Sequence, residues 1–307
     1  MSENNFTNQL LSVDDLSKSE VEEIFDRASE FKIKGFSSSR ILKNGSENAP
    51  VVALAFFEPS TRTKLSFDSA AQRIGCKTIG FDDPASTSSA KGEQLSDTLK
   101  VIEKYSDAIV VRRKEFGTID IVRDVLTIPV ISAGVGAYEH PTQALLDVFT
   151  MKQHRDLSTI NTVVSYGDLI NSRVLCSQVR LLARDGITFI FVADDDMQID
   201  FDLENDLVKR GAKVQRARFL DEVIDKCDVL NVLRPQRERW GSSEHGIYRP
   251  VTNETISSMK EDSLLLHPLP RTGELAIETD SDSRSLVWEQ VSNGLFIRAA
   301  ILELMLS

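Results

Sequence analysis

The sequence is poor in cysteine, with three in 307 residues: Cys76, Cys176 and Cys227. They are scattered and odd in number, which excludes a disulfide framework and offers no metal-binding spacing. A reducing cytoplasm is the simplest setting for them. Long apolar runs are also missing. No stretch approaches the roughly 18 residues that a membrane span needs. The opening MSENNFTNQLLSVDDLSKSE has no basic start followed by an apolar core, so no secretory signal is visible. No lysine- or arginine-rich run occurs, and the net charge is −11, which argues against a nucleic-acid partner. No repeat and no low-complexity tract stands out. The glycine-containing segments GVGAYE and GDLINS lack the dinucleotide fingerprint. No set of His, Cys, Asp or Glu has metal spacing.

What is present is a globular composition, with 41% hydrophobic and 27% charged residues. The length suits two domains of about 150 residues. Near the start, Ser17 and Glu20 have capping-box spacing, and Val21, Ile24, Phe25, Ala28 and Phe31 recur at helical intervals. Strands are predicted at 50–57, 77–81, 107–112, 128–132, 161–166, 187–193, 212–216, 228–233 and 263–266. Helices are predicted at 62–74, 94–105, 142–154, 172–185, 202–210 and 219–226. Such alternation means βαβ units and largely parallel sheets. A polar break, HRDLSTIN, follows the helix at 142–154 and favours two sheets over one. The apolar stretch 293–306 forms a last helix that must bury itself on one of the two domains.

Segment 56–75, FFEPSTRTKLSFDSAAQRIG, poses the functional question. An apolar strand ends at Phe57, Glu58-Pro59 breaks it, and Ser60 stands as N-cap of a helix running to Arg73. The unpaired N–H groups and dipole of a helix start favour an anion. Thr61 and Thr63 add hydroxyls, and Arg62 adds a planar fork suited to phosphate. Taken alone, this is as easily an ordinary capped helix with solvated charges. Further polar clusters change that balance. Arg112 closes the strand AIVVR, His140 precedes a helix opening Pro141-Thr142-Gln143, and Arg173 lies in YGDLINSR. Arg234, Gln236 and Arg239 follow DVLNVL, and HPLPR (267–271) follows LLL. Each cluster sits at the carboxyl end of a predicted strand, where open α/β sheets bind ligands. With a net charge of −11, any anion site has to be built locally from such residues. The three cysteines read as small buried residues, His154 and His245 as background, and SSAKGEQ (88–94) as a polar loop.

In this order and spacing STRT, SSAKGE, HPTQALLDVFT, RPQRER and HPLPR resemble the aspartate/ornithine carbamoyltransferase family, specifically its aspartate-using catalytic chains, over nearly the whole sequence. STRT and HPTQ are general to carbamoyltransferases. HPLPR, the arginine–glutamine pair and the loop lysine point to aspartate, whereas ornithine-type relatives carry a cysteine where Pro268 stands. Four positions depart from the usual pattern: Lys64, Arg113, Val135 and Gly273.

The resemblance implies an α/β fold of two doubly wound parallel-sheet domains with an active-site cleft between them. It places carbamoyl-phosphate binding in 1–144, with 293–307 packing back on that domain, and aspartate binding in 145–292. The implied reaction joins carbamoyl phosphate and L-aspartate, giving N-carbamoyl-L-aspartate and phosphate, an early step of pyrimidine biosynthesis. Carbamoyl phosphate would meet Ser60, Thr61, Arg62, Thr63, Arg112, His140, Gln143, Leu269, Pro270 and Ser88. Aspartate would meet Lys91, Arg173, Arg234 and Gln236. His140, Arg112, Thr63 and Lys91 would be the catalytic set. No metal and no cofactor are implied. The expected assembly is a cytoplasmic homotrimer whose Ser88–Lys91 loop serves the adjacent subunit's site; some relatives add a zinc-bearing regulatory chain. A carbamoyltransferase with another acceptor amine, or a homologue that keeps the fold without catalysis, are the alternatives.

Overall fold

The computed structural model describes residues 6–43, 45, 49–82, 92–115, 117–136, 139–183, 187–237 and 249–307. The chain divides into two compact units, Met1–Leu145 with Ser292–Ser307, and Leu146–Val291. The first unit holds β1 (Gln9–Leu10), α1 (Lys18–Lys34), α2 (Arg40–Lys43), β2 (Val51–Phe56), α3 (Thr61–Arg73), β3 (Lys77–Phe81), α4 (Leu95–Glu103), β4 (Ala108–Arg113), α5 (Thr118–Val125) and β5 (Val130–Val135). It also holds the start of α6 (Pro141–His154), which continues into the second unit. There follow β6 (Thr162–Gly167), α7 (Arg173–Ala183), β7 (Thr188–Val192), α8 (Phe201–Lys209), β8 (Lys213–Ala217), β9 (Val229–Leu233), α9 (Asn253–Ser257) and β10 (Leu264–Leu266). The last helix, α10 (Val287–Leu306), starts in the second unit and ends in the first.

The first unit carries a five-stranded parallel sheet in the order β1-β5-β4-β2-β3. Parallel strands covered on both faces need near-continuous apolar runs rather than alternation. VVALAF in β2 meets that demand, with every residue after Val51 buried. The edge strand β3 is instead largely exposed. Gly80 in β3 permits close approach to its neighbour, because a Cβ there would lie 2.2 Å from the Leu54 carbonyl oxygen. Helix α1 begins with the capping box predicted for Ser17 and Glu20. Its buried Arg27 bonds to Glu303 of α10 and donates to the Ser38 carbonyl at 3.0 Å. Glu303 accepts in turn from the Arg40 backbone N–H at 2.7 Å, so the end of α10 is anchored inside the first unit.

The second unit carries another five-stranded parallel sheet, ordered β10-β9-β6-β7-β8. Its strands β6, β7 and β9 are again apolar and mostly buried. The parallel strands bear out the strand–helix alternation, the second sheet bears out the polar break, and the doubly wound order is the one the resemblance implied.

Several elements differ from the sequence reading. The helix predicted at 219–226 is replaced by two short 3₁₀ turns, Leu220–Glu222 and Ile224–Lys226. The apolar spacing there has another use: Leu220, Val223, Ile224 and Cys227 all enter the core beneath the sheet. Val223, at φ −138° and ψ −8°, separates the two turns. Strand β1 is two residues long, too short to show a period. Helix α5 escaped notice, and α10 begins at Val287 rather than 293.

Candidate active site

In the first unit the chain runs from β2 outward to β3, then returns to β4 on the other side of β2. The connections leaving β2 and β4 therefore diverge, and a crevice opens at the carboxyl ends of that pair. Both ends carry candidate residues. Ser60 is the N-cap of α3, with extended backbone (φ −157°, ψ 92°) and no side-chain capping bond. Its hydroxyl is therefore not committed to the helix, unlike that of Ser17 on α1, which accepts from Glu20 N–H. Thr61 and Arg62 are exposed, and Thr63 is buried. Across the pair, Arg112 lies opposite Phe56 in the ladder. Its guanidinium meets Glu58 at 2.9 Å and donates to the Ala133 carbonyl at 2.8 Å. Glu58, read in the sequence only as a strand breaker, is thus a partner that orients Arg112.

His140 is buried immediately ahead of α6. Its carbonyl accepts from Gln143 N–H at 3.0 Å and Ala144 N–H at 3.2 Å, so it begins the helix as predicted. A residue with no motif of its own links this helix to α3. Arg298, buried on α10, donates to Ser66 Oγ at 2.8 Å and reaches Thr142 Oγ1 at 3.5 Å. Its guanidinium also lies 5.2 Å from the centre of the Phe67 ring. The two helices that carry STRT and HPTQ are therefore held by one cation.

The second sheet has its switch point between β6 and β9. Arg173 starts α7 after β6, and Arg234 and Gln236 follow β9. Asp168, buried just past β6, ties the two loops together. One carboxylate oxygen accepts from Gln236 N–H at 2.8 Å, and the other from the Asn171 side-chain amide at 2.9 Å. The Gln236 amide donates to the Asn171 carbonyl at 2.6 Å, and a side-chain NH₂ has a second hydrogen to give. Asp168 was overlooked in the sequence, although an acid directly after a strand-ending glycine was a visible signal.

Leu269 and Pro270 lie on a turn beyond β10, the sheet's other outer strand. Leu269 has φ +55° and donates its N–H to His267 Nδ1 at 2.9 Å. Because Nδ1 accepts, the His267 imidazole is neutral and carries its proton on Nε2. That nitrogen donates to Glu274 at 2.7 Å, and both side chains are buried. Burial alone would raise the Glu274 carboxyl. Hydrogen bonds from His267, from its own backbone and from Thr272 outweigh burial and hold it below the usual carboxylate range. The histidine of HPLPR is therefore a structural pin for the Leu269 carbonyl.

The structure gathers Ser60, Thr61, Arg62, Thr63, Arg112, His140 and Gln143 on the first unit, and Arg173, Arg234, Gln236, Leu269 and Pro270 on the second. Ser88, Lys91, Arg239 and His245 lie outside the described residues. His154 pairs with Glu289 at 2.8 Å, away from the strand ends. The four departures have plain structural settings. Lys64 bonds Asp82 and Arg113 bonds Glu115, each at 2.7 Å. Val135 is buried, and Gly273 has φ +119°. Among the described residues no group of three or more His, Cys, Asp or Glu could hold a metal ion.

Comparison with known proteins gives the family. Residues 8–153 match the carbamoyl-P binding domain of the aspartate/ornithine carbamoyltransferases, and residues 161–305 match the Asp/Orn binding domain. The chain is 36% identical over 304 residues to the aspartate carbamoyltransferase catalytic subunit of Methanocella arvoryzae, covering 97% of this chain and 96% of that one. It is 37% identical over 308 residues to that of Vibrio vulnificus strain YJ016, covering 98% and 97%. A crystal structure of aspartate transcarbamoylase from Trypanosoma cruzi with carbamoyl phosphate superposes at a TM-score of 0.88, with 30% identity and coverage of 97% and 96%. The same enzyme with carbamoyl aspartate and phosphate superposes at 0.86, with 31% identity and the same coverage.

Proposed function

The chain belongs to the aspartate/ornithine carbamoyltransferase family, and from that premise we infer that it is an aspartate carbamoyltransferase. It transfers the carbamoyl group of carbamoyl phosphate to the α-amine of L-aspartate, giving N-carbamoyl-L-aspartate and phosphate for pyrimidine synthesis. The observation that carries the reading is chemical. The substrates bring a phosphate and two carboxylates. The two switch points bring Arg62 and Arg112 on one unit, and Arg173 and Arg234 on the other. A diamine acceptor would meet two guanidinium groups of its own sign.

The first unit binds carbamoyl phosphate. Ser60, Thr61, Arg62 and Thr63 hold its phosphate at the α3 start. Arg112, oriented by Glu58, spans phosphate and carbamoyl oxygen. His140 donates to that oxygen as negative charge develops there. Gln143 and the Leu269 carbonyl accept from the carbamoyl NH₂, with Pro270 fixing the turn. On the second unit Arg173 takes the α-carboxylate of aspartate, and Arg234 with Gln236 takes the side-chain carboxylate. The amine attacks the carbonyl carbon, a C–N bond forms, the bond to the phosphate oxygen breaks, and the departing phosphate takes the amine proton. Alignment and oxyanion stabilisation carry the catalysis. Incubating purified protein with carbamoyl phosphate and a panel of amines tests the reading. Turnover with aspartate above all others is expected; turnover with another amine, or none, would overturn it.

The active enzyme is a homotrimer whose Ser88 and Lys91 serve the adjacent subunit's site. Edge strand β3 supports this. It carries exposed Ile79, which with exposed Tyr105 lines an apolar recess of about 220 Å³. A second copy would cover these side chains. Mixing Lys91→Ala and Arg62→Ala chains, each nearly inactive, should restore part of the activity after subunit exchange. No recovery, with exchange proven, would mean that each site is built from one chain. The setting is the cytoplasm, in keeping with three unbridged cysteines, two of them buried thiols. No helix of the described residues is long and apolar enough to cross a membrane.

A further inference from the structure

The second unit contains a buried line of polar side chains that the mechanism does not use. It starts at the Asn231 amide in the middle of β9, which donates to Gln178 Oε1 on α7 at 2.7 Å. Gln178 Nε2 donates to Asp147 Oδ2 on α6 at 3.1 Å. Gln290 Nε2, on α10, donates to Asp147 Oδ1 at 2.7 Å. Gln290 Oε1 accepts the backbone N–H of His267 at 2.9 Å. Asp147, Gln178 and Asn231 are wholly buried, and Gln290 and His267 nearly so. Packing alone would favour apolar residues at such positions, because each buried polar group must be satisfied.

The direction of the line follows from its end. A backbone N–H is always a donor, so Gln290 must present its oxygen to His267 and its NH₂ to residue 147. Asn231 points its NH₂ toward Gln178, which leaves Gln178 its own NH₂ to give. Two donors therefore converge on residue 147, and a carboxylate is the side chain that accepts from both. The ends of the line adjoin assigned site elements. Asn231 lies three residues before Arg234, and His267 opens the turn that presents the Leu269 carbonyl.

We propose that Asp147 is a positioning residue for carbamoyl transfer, holding the ends of β9 and β10 so that Arg234 and the Leu269 carbonyl meet their substrates. The proposal rests on the functional reading above. Asp147 touches neither substrate; it acts through Gln290 and His267 on one side and through Gln178 and Asn231 on the other.

The test compares Asp147→Leu with Asp147→Asn. Leucine keeps the branched heavy-atom skeleton and accepts nothing, so both amides lose their partner. Displacement of reacting groups by about 1 Å can cost on the order of a hundredfold. Asp147→Leu should lower kcat about 10–100-fold and raise the aspartate KM. Binding of inorganic phosphate, measured by calorimetry, should change less than about threefold, since the phosphate residues lie on the other unit. Asparagine can still accept from Gln290. Its NH₂ can be satisfied if the Gln178 and Asn231 amides both turn over, and Asn231 Oδ1 has no hydrogen-bond partner among the described residues. Asp147→Asn should therefore retain most of the activity. If Asp147→Leu does not fold, Gln290→Met removes the acceptor of the His267 N–H and should give the same kinetic split.

Wild-type kcat in a folded Asp147→Leu protein would overturn the proposal. So would a parallel loss of phosphate-binding stoichiometry, which would mark a merely structural role, or an Asp147→Asn as damaged as the leucine variant. A wild-type protein unable to carbamoylate aspartate would overturn the functional reading instead, which separates the two failures.

Discussion

In the first unit, the helices bearing the phosphate and oxyanion residues are braced by a guanidinium, Arg298, reaching Ser66 on α3 and Thr142 on α6. In the second, the loops bearing the aspartate residues are braced by carboxylates: Asp168 across β6 and β9, and Glu274 under the Leu269 turn. The difference follows from what each brace must satisfy. Around α3 and α6 the groups to be held are hydroxyl oxygens, which accept from a many-donor cation. Around the loops of the second unit they are backbone N–H, side-chain amides and an imidazole N–H, all donors, which call for an acceptor-only carboxylate. Each of these braces thus has the hydrogen-bonding sense that the groups it holds demand.

The largest effects should come from the ligand-binding arginines, and they should divide by unit. Arg62→Ala removes one partner of a charge pair with phosphate, a loss of roughly 2–5 kcal/mol. It should cripple use of carbamoyl phosphate. Arg234→Ala should raise the aspartate KM strongly and leave phosphate binding nearly intact. Calorimetry and steady-state kinetics on both variants check the division. Equal loss of both ligands in either variant would erase the distinction between the units.

How much of this was legible in the sequence follows the same line. Residues expected to touch substrate announced themselves, because Ser60, Arg112, His140, Arg173 and Arg234 each stand at the carboxyl end of an apolar run. Their supports did not. Arg298 sits in the apolar stretch NGLFIRAAILELML, where a single arginine reads as an exposed exception; in the structure it is buried. Asp147 and Gln178 lie inside helices at positions that no period separates from solvent-facing ones. Their partners are up to 143 residues away along the chain, so only the fold brings them together. Glu274 follows HPLPR in a loop, where an acidic residue reads as solvated, and its partner His267 meets it only through the fold of the turn. Elements defined by one or two residues, such as β1, leave no pattern either.

A smaller effect tests the guanidinium brace. Arg298→Met keeps an unbranched chain against Phe67 and removes the donors. Hydrogen bonds to charged groups contribute about 1.5–3 kcal/mol each at best, and the 3.5 Å reach to Thr142 is at the weak end. We expect a stability loss of about 1–3 kcal/mol and weaker phosphate binding, with the aspartate KM near wild type at saturating carbamoyl phosphate. Urea unfolding and phosphate calorimetry provide the measurements. A variant of reduced stability but unaltered phosphate affinity would make Arg298 a packing residue alone.

A change confined to acid pH should appear at the Glu274 pin and be absent at the Arg298 brace. Arginine keeps its charge across the accessible range. The Glu274 carboxyl is held below its ordinary value of 4.5, with desolvation opposing the shift and His267, its own backbone and Thr272 producing it. A group whose folded pKa is depressed binds protons more tightly when unfolded. Its stabilising contribution is therefore complete above the unfolded value and is lost as pH falls through the folded one. Glu274→Gln removes the titration but keeps the shape. Glutamine has one oxygen to accept with, while the carboxylate accepts from His267 on one oxygen and from Thr272 N–H and Oγ1 on the other. Wild type should exceed Glu274→Gln by about 1–3 kcal/mol at pH 7. That gap should narrow as pH drops below 4.5. Other depressed carboxylates, such as Asp228 and Asp282, titrate in both proteins and cancel from the difference. Urea titrations at a series of pH values measure the gap directly. A gap constant from pH 7 into the acid range would mean that Glu274 holds the turn by shape rather than by charge, and the contrast between the two braces would then rest on hydrogen-bond direction alone.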